Sequence, residues 1–333
     1  MKYLVTGAAG FIGSAVVEKL IAAGMQVVGI DNINDYYDTA LKKSRLQRIE
    51  HSNFCFIKLD ISDERSVTSL FDREKFDIVI HLAAQAGVRY SLENPMAYAQ
   101  ANLVGHLNVL EGCRKNNVKH LLYASSSSIY GLSKEVPFST ENNVDHPISL
   151  YAATKKSNEL MAHTYSHLYK LPTTGMRFFT VYGPWGRPDM ALFKFTQKII
   201  QGEKIDIYNN GDLSRDFTYI DDVVESIFLL TDKIPSELNS SSKEHTSMIK
   251  SAPPYRVLNI GNGSPVKLMD FISSLESALG IKANANFMPM QAGDVVETWA
   301  NVSDLYSLTG YRPKTTVNQG IQSFVSWYKD FYK

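Results

Sequence analysis

Short apolar runs alternate along the chain with longer stretches in which apolar positions recur every three to four residues. The short runs fall at 2–6, 26–30, 53–59, 77–82, 119–124 and 173–178 and read as strands. Helical periodicity covers 11–23, 96–116 and 150–169. This alternation predicts an α/β fold: a Rossmann-like, doubly wound parallel sheet with right-handed crossovers. Its ligand site belongs at the carboxyl ends of the strands. Beyond about residue 180 the rhythm changes, with Gly183, Pro184, Gly186, Pro188 and Gly211 punctuating shorter segments. The expected division is a nucleotide-binding domain over 1–180, with a returning segment near 214–233, and a smaller lobe from 181–213 and 253–333. The Ser-rich, Pro-terminated stretch 235–254 reads as a flexible surface loop, because patterned segments resume at 256–260 and 267–279.

Composition narrows the class. A chain of 333 residues that is 44% apolar can bury a sizeable core. Thirty-four Lys and Arg balance 34 Asp and Glu, so net charge favours neither nucleic acid nor a membrane surface as partner. A local basic pocket for an anionic ligand stays compatible with that balance. No apolar run approaches the ~20 residues of a membrane span. The opening MKYLVTGAAGFIG reads as a strand and glycine turn, not as a signal peptide. Cys55 and Cys113 make no disulfide framework, fit a reducing compartment and read as small core residues. A cytoplasmic protein without a metal site is the expectation.

Chemistry enters at Gly7-Ala8-Ala9-Gly10-Phe11-Ile12-Gly13, between the first strand and first helix. Glycines here permit a tight turn and let backbone N–H groups reach a pyrophosphate at the helix N-terminus. The spacing is GxxGxxG, so the triplet alone is weak, but the second strand ends at Asp31, about 20 residues on, where a carboxylate would accept from an adenosine ribose hydroxyl. It would repel a 2′-phosphate, which favours NAD over NADP. Lys42, Lys43 and Arg45 pull slightly the other way unless they form a solvated helix face, the preferred reading. Asp60 closes the third strand and either meets the adenine or caps the turn before Ser62 and Asp63. Asn32, Ile61, Leu82, Ala83 and Ala84, at strand ends, complete the expected cofactor-binding set.

A serine run, Ser125 to Ser128, follows the fifth strand, and Tyr151 and Lys155 follow in YAATK. Their i,i+4 spacing puts phenol and ammonium on one helix face. The ammonium should pull the phenol pKa down from ~10, making Tyr151 a base for a substrate hydroxyl while hydride leaves the same carbon. YxxxK by itself occurs by chance in many helices; its order after the glycine loop, Asp31 and the serine run gives it weight.

TGAAGFIG, HLAAQAGVRYS, ASSSSIYG, YAATK and RDFTYIDDV together resemble the extended short-chain dehydrogenases/reductases that act on nucleotide sugars. DNINDYYD, AGVRYS and RFFTVYGPWGRP are similar in particular to motifs of the UDP-glucuronate 4-epimerases. The resemblance spans nearly the whole chain, with 235–254 longer than in many relatives. It implies retained NAD, Tyr151 as base, Ser126 as its hydrogen-bonding partner and Lys155 at the cofactor ribose. It also implies that Ser127 and Ser128 touch substrate, that Arg215, Asp294 and Lys194 hold the nucleotide, and that the helices at 96–116 and 150–169 form a homodimer. Related 4,6-dehydratases carry an acidic pair where this chain has Ser127-Ser128, and decarboxylases usually carry a Glu in that run. That leaves C4 epimerisation through a 4-keto sugar.

Thr180 stands where neutral-sugar epimerases commonly have Asn, and Arg187 follows in the same loop. A guanidinium can grip a carboxylate with two hydrogen bonds. These residues, with Arg89, favour UDP-glucuronate to UDP-galacturonate. The alternatives are that either arginine binds phosphate or stacks structurally, and that the substrate is UDP-glucose or UDP-N-acetylglucosamine. A UDP-glucuronate decarboxylase or a non-catalytic NAD-binding regulator stands further off, since Tyr151 and Lys155 are both intact.

Overall fold

The computed structural model describes residues 1–239, 251–291 and 294–332. The first half runs β1 (Lys2–Thr6), α1 (Phe11–Ala22), β2 (Gln26–Asp31), α2 (Thr39–Arg48), β3 (Phe54–Lys58), α3 (Glu64–Glu74) and β4 (Ile78–His81). Two short helices, α4 (Tyr90–Glu93) and α5 (Pro95–Tyr98), lead through a π-helix (Ala99–Val104) into α6 (Gly105–Lys115). Then come β5 (His120–Ser126), a 3₁₀ turn (Ser127–Tyr130), α7 (Leu150–Tyr169), β6 (Thr173–Phe178), β7 (Thr180–Tyr182), α8 (Ala191–Ile200) and β8 (Lys204–Ile207). The rest comprises β9 (Ser214–Arg215), β10 (Phe217–Tyr219), α9 (Ile220–Thr231), β11 (Leu238–Asn239), β12 (Ser251–Ala252), β13 (Tyr255–Ile260), β14 (Val266–Lys267), α10 (Leu268–Leu279), β15 (Asn284–Phe287), α11 (Ser303–Thr309) and α12 (Val317–Phe331).

Seven strands form one sheet in the order β13-β6-β5-β4-β1-β2-β3, and every pairing in it is parallel. Side chains alternate across the sheet, as strand geometry requires. Tyr3 and Val5 enter one core cluster and Leu4 the other; Ile78 and Ile80 join the first, Val79 the second. Strands buried on both faces read as continuous apolar runs, which is how the sequence presents them. The chain winds outward from β1 to β3, then returns to β4 and winds the other way, so the crevice opens between β1 and β4 at their carboxyl ends.

Three expectations change. The helix expected over 96–116 is interrupted by the π-helix, a slip in register that apolar periodicity does not report. It accompanies Asn102, which is 1% exposed. That side chain accepts from the Gln85 N–H (2.8 Å) and donates to the Gln85 carbonyl (3.0 Å) and Thr154 hydroxyl (3.0 Å). The stretch 253–333 contributes β13 to the edge of the main sheet, beside β6. Cys113 is buried, but Cys55 is exposed because β3 is the opposite edge strand. The flexible loop expected at 235–254 falls mainly on residues 240–250, which lie outside the described residues; β11 and β12 pair antiparallel on either side of them. Smaller two-stranded pairings join β7 with β10, β9 with β14 and β8 with β15. No helix among the described residues is long and apolar enough to cross a membrane.

Candidate active site

The glycine loop is shaped by close approach. Gly7 has φ 74°, and its N–H and that of Ala8 both donate to the Ile30 carbonyl (2.8 and 3.1 Å). A Cβ on Gly7 would lie 2.8 Å from the Ala83 nitrogen, and one on Gly13 would lie 2.0 Å from the Gly7 oxygen. No side chain caps α1 at Gly10, so the N–H groups of Phe11, Ile12 and Gly13 head an uncapped helix terminus, a ready anion site. Asp31 accepts from the Ala9 N–H (3.2 Å) and the Ile33 N–H (2.8 Å), and burial raises its carboxyl above the usual range. Leu82 and Ala83 N–H groups converge on the Thr6 hydroxyl (3.1 and 3.0 Å), ahead of Ala84. A dinucleotide fits this donor set: glycines where a Cβ would block, an uncapped helix end and a carboxylate at the tip of β2.

Asn32 donates to Asp60 (2.8 Å), and Ser62 donates to it through its N–H (2.8 Å) and hydroxyl (2.7 Å). Burial works to raise the Asp60 carboxyl, but these bonds hold it below its ordinary value. They are what the turn-capping reading of Asp60 requires. Ile61 is buried against Gly105. The solvated face expected for Lys42, Lys43 and Arg45 holds only for Lys43. Lys42 (5% exposed) donates to the carbonyl and side-chain oxygens of Asn34 (2.8 and 2.6 Å), while Arg45 is fully buried. Lys42 is held by the nearby Asn34, and Arg45 by Tyr37 and by carbonyls of distant loops, rather than by solvent.

Ser126 ends β5 and caps the 3₁₀ turn, its hydroxyl accepting from the Ser128 N–H (3.2 Å). Ser127 and Ser128 stay partly exposed. Ser149 caps α7, which carries Tyr151 and Lys155. Burial raises the Tyr151 phenol above its ordinary pKa, while a hydrogen bond with Ser126 and the Arg187 charge pull it down. Lys155 is 4% exposed, donates to the Ala124 carbonyl (2.9 Å) and is lowered by burial to about 8. Arg187 thus adds a positive charge at the phenol that local spacing does not show. Spacing put both groups on one face, but β5 offers the ammonium a carbonyl. Tyr98 stands edge-on to Tyr151, with ring centroids 6.1 Å apart.

Across the crevice, the Thr180 N–H donates to the Asp216 carbonyl (3.1 Å). Thr180, Arg187 and Phe11 line one cavity of about 40 Å³. Arg187 is already engaged: Nε donates to Asp189 (2.9 Å) and Nη2 donates to its second oxygen. Burial works to lower the guanidinium pKa, but the Asp189 carboxylate holds it above its ordinary value. An incoming carboxylate would therefore meet the opposite edge of Arg187. Lys194, exposed on α8, adds positive field at Asp189. Arg215 donates to Asp294 (3.0 Å), and Arg89 stands 3.9 Å from the other oxygen of Asp294 and 5.3 Å over the Tyr208 ring. Three residues widely separated in the chain thus form one charged cluster.

A network absent from the sequence reading lies beneath the serine run. Glu159 accepts from Ser125 (2.6 Å) and from Nε and Nη2 along one edge of Arg177 (2.9 Å each). Arg177 also donates to Tyr130 (3.0 Å), and Tyr130 to Asn259 (2.6 Å). Two signals could have exposed it: Glu159 follows Lys155 by one helical turn on the same face, and Arg177 is a charge inside an apolar strand. Among the described residues, no three His, Cys, Asp or Glu side chains gather as a metal site.

Comparison with known proteins places this geometry. The family model described as GDP-mannose 4,6 dehydratase matches residues 4–324. A probable UDP-glucuronate 4-epimerase of Rhizobium meliloti is 51% identical over 100% of this chain and 98% of its own length. A UDP-glucuronate 4-epimerase of Arabidopsis thaliana is 48% identical over 99% of this chain and 76% of its own. The crystal structure of the UDP-glucuronic acid 4-epimerase of Bacillus cereus, in complex with UDP-glucuronic acid and NAD, superposes with a TM-score of 0.88 at 32% identity, covering 100% of both chains. The chain belongs to the GDP-mannose 4,6 dehydratase family of extended short-chain dehydrogenases/reductases, and within it stands beside the UDP-glucuronate 4-epimerases.

Proposed function

We propose that the protein is an NAD-dependent UDP-glucuronate 4-epimerase that converts UDP-glucuronate to UDP-galacturonate. The observation that carries this reading is the Ser126–Tyr151 hydrogen bond at the carboxyl end of β5, within the field of Arg187; Arg187 in turn shares one cavity with Thr180 and with Phe11 of the glycine loop. Bound NAD supplies the acceptor and donor of hydride at C4, passing the sugar through its 4-keto form. The chain's own residues do the rest. Tyr151 takes the proton from the C4 hydroxyl and later returns it, with Ser126 holding the same oxygen. Lys155 supplies positive charge beside the cofactor ribose. The N–H groups of Phe11, Ile12 and Gly13 hold the pyrophosphate, and Asp31 holds the adenosine ribose. Arg215, Asp294 and Lys194 act on the nucleotide, and Ser127, Ser128 and Arg89 on the sugar diphosphate. Ser127-Ser128 has no acid to drive elimination, which argues against dehydration despite the name of the family model.

Thr180 and Arg187 form a carboxylate clamp. The 4-keto form of a uronic acid is a β-keto acid and loses CO₂ when its carboxylate bond aligns with the carbonyl π system. The clamp holds the carboxylate out of that alignment while the ring turns over. Arg187→Ala should weaken UDP-glucuronate binding and raise the share of UDP-pentose product; unchanged binding with no pentose would remove the clamp. The protein acts in the cytoplasm and as a homodimer; exposed apolar side chains on α6 and α7 support the second of these.

A proton NMR time course of the purified protein with UDP-glucuronate, without added NAD, tests the whole reading. UDP-galacturonate is the expected product. Turnover of UDP-glucose or UDP-N-acetylglucosamine instead would keep the chemistry and overturn the sugar.

A further inference from the structure

Arg45 is a charged side chain that the reaction itself does not use, and it is 0% exposed. It lies on α2, in the cofactor-side half of the molecule. Its guanidinium makes five hydrogen bonds, none of them to a carboxylate. Nε and Nη2 both donate to the Trp185 carbonyl (3.1 and 2.6 Å), and Nη2 also donates to the Gly186 carbonyl (3.1 Å). Nη1 donates to the Ala9 carbonyl in the glycine loop (3.1 Å) and to the Tyr37 hydroxyl (2.7 Å). One planar fork therefore joins the glycine loop, the Tyr36-Tyr37 segment and the turn over 183–187.

That turn is strained. Trp185 has φ 62°, a left-handed conformation that a bulky side chain adopts only when its surroundings over-determine it. Two of the Arg45 bonds fall on the carbonyl of Trp185 itself and so fix the peptide plane leaving it. Trp327, Phe331 and the Arg48 guanidinium pack on its indole. Arg187 comes two residues later. Its partner Asp189 also accepts from the Tyr36 hydroxyl (3.3 Å), next to Tyr37.

We propose that Arg45 is a positioning residue for the epimerisation: it locks the 183–187 turn against the glycine loop, so that Arg187 is aimed at the sugar by the same side chain that braces the pyrophosphate loop. This rests on the UDP-glucuronate reading of the site. Lysine would keep the charge but not the fork, because an ammonium is a point donor that cannot span carbonyls from two loops in one plane.

The test compares wild type, Arg45→Lys, Arg187→Ala and the double variant by amide hydrogen exchange and by steady-state kinetics with UDP-glucuronate. Arg45→Lys should speed exchange over 183–190 while the sheet strands exchange as before. Its kcat/KM should fall on the order of 10²-fold, the scale of a misplaced catalytic loop. In the Arg187→Ala background the Arg45→Lys loss should shrink to about twofold or less, because both changes act through one group. Unchanged exchange over 183–190, or losses that add in full, overturns the proposal. If Arg45→Lys does not fold, Tyr37→Phe removes one acceptor and should move exchange and kcat/KM in the same direction by less. If wild type does not turn over UDP-glucuronate, the functional reading fails, and exchange over 183–190 alone decides whether Arg45 holds the turn.

Discussion

Burial pushes Tyr151 and Lys155 towards the same neutral condition from opposite sides, raising the phenol and lowering the ammonium to about 8. Tyr151→Phe keeps the packing of the ring and removes only the proton acceptor. Its kcat should fall by roughly 10²–10⁴-fold with NAD content unchanged, checked by product NMR and by cofactor release on denaturation. Lys155 makes a pH prediction. Its folded pKa lies below its unfolded value of 10.5, so the unfolded chain binds more protons between about 8 and 10.5. Its contribution to stability is therefore full above 10.5 and is lost as pH falls through about 8. Melting curves of wild type and Lys155→Met should show the variant's relative advantage shrinking as pH rises through that window; a constant difference would refute the assignment. The glycine loop and the Tyr–Lys pair were legible in the sequence because their geometry is local: positive φ at Gly7 and one helical turn between 151 and 155. Arg45 was not legible, because the carbonyl that buries it belongs to a residue 140 positions away.

α7 carries Tyr151 and Lys155 on a foundation that ties it to its neighbours. Glu159 joins α7 to β5 through Ser125 and to β6 through Arg177, and both partners of the ion pair are nearly inaccessible (5% and 4% exposed). Removing one member of a buried pair leaves the other uncompensated, at a cost of about 3–5 kcal/mol. Glu159→Gln should therefore lower the melting temperature on the order of 10 °C. It should also disturb the 3₁₀ turn that follows Ser126, since Arg177 reaches Tyr130 within that turn. Circular dichroism and the Tyr151-dependent rate would report the two effects separately. The central helices, strands and boundaries follow the apolar pattern closely: β1, β6 and α7 begin and end as read. The π-helix does not, since an added residue in one turn answers to Asn102 bonding Gln85 and Thr154 rather than to any local preference.

For the whole molecule, α6 and α7 pack side by side and, with the end of the π-helix, leave Val104, Leu107, Leu160 and Leu168 at 40–59% exposure. Under the proposed homodimer, two copies related by a twofold axis would bury these side chains in a four-helix contact. Light scattering should give twice the 37.3 kDa of one chain. Leu160→Glu should reduce it to one; a monomeric wild type would refute the dimer. The sequence by itself determined the parallel sheet, the glycine turn after β1 and the placing of Tyr151 and Lys155 one helical turn apart, because glycine conformations, strand alternation and helical spacing act over a few residues. Only the tertiary structure decided which charges lie buried, that Arg187 is held by Asp189, that Arg89, Arg215 and Asp294 meet, and that β13 closes the edge of the sheet. Those outcomes depend on which carbonyls and carboxylates a side chain meets through space after the chain has crossed the sheet, and no short-range pattern encodes them.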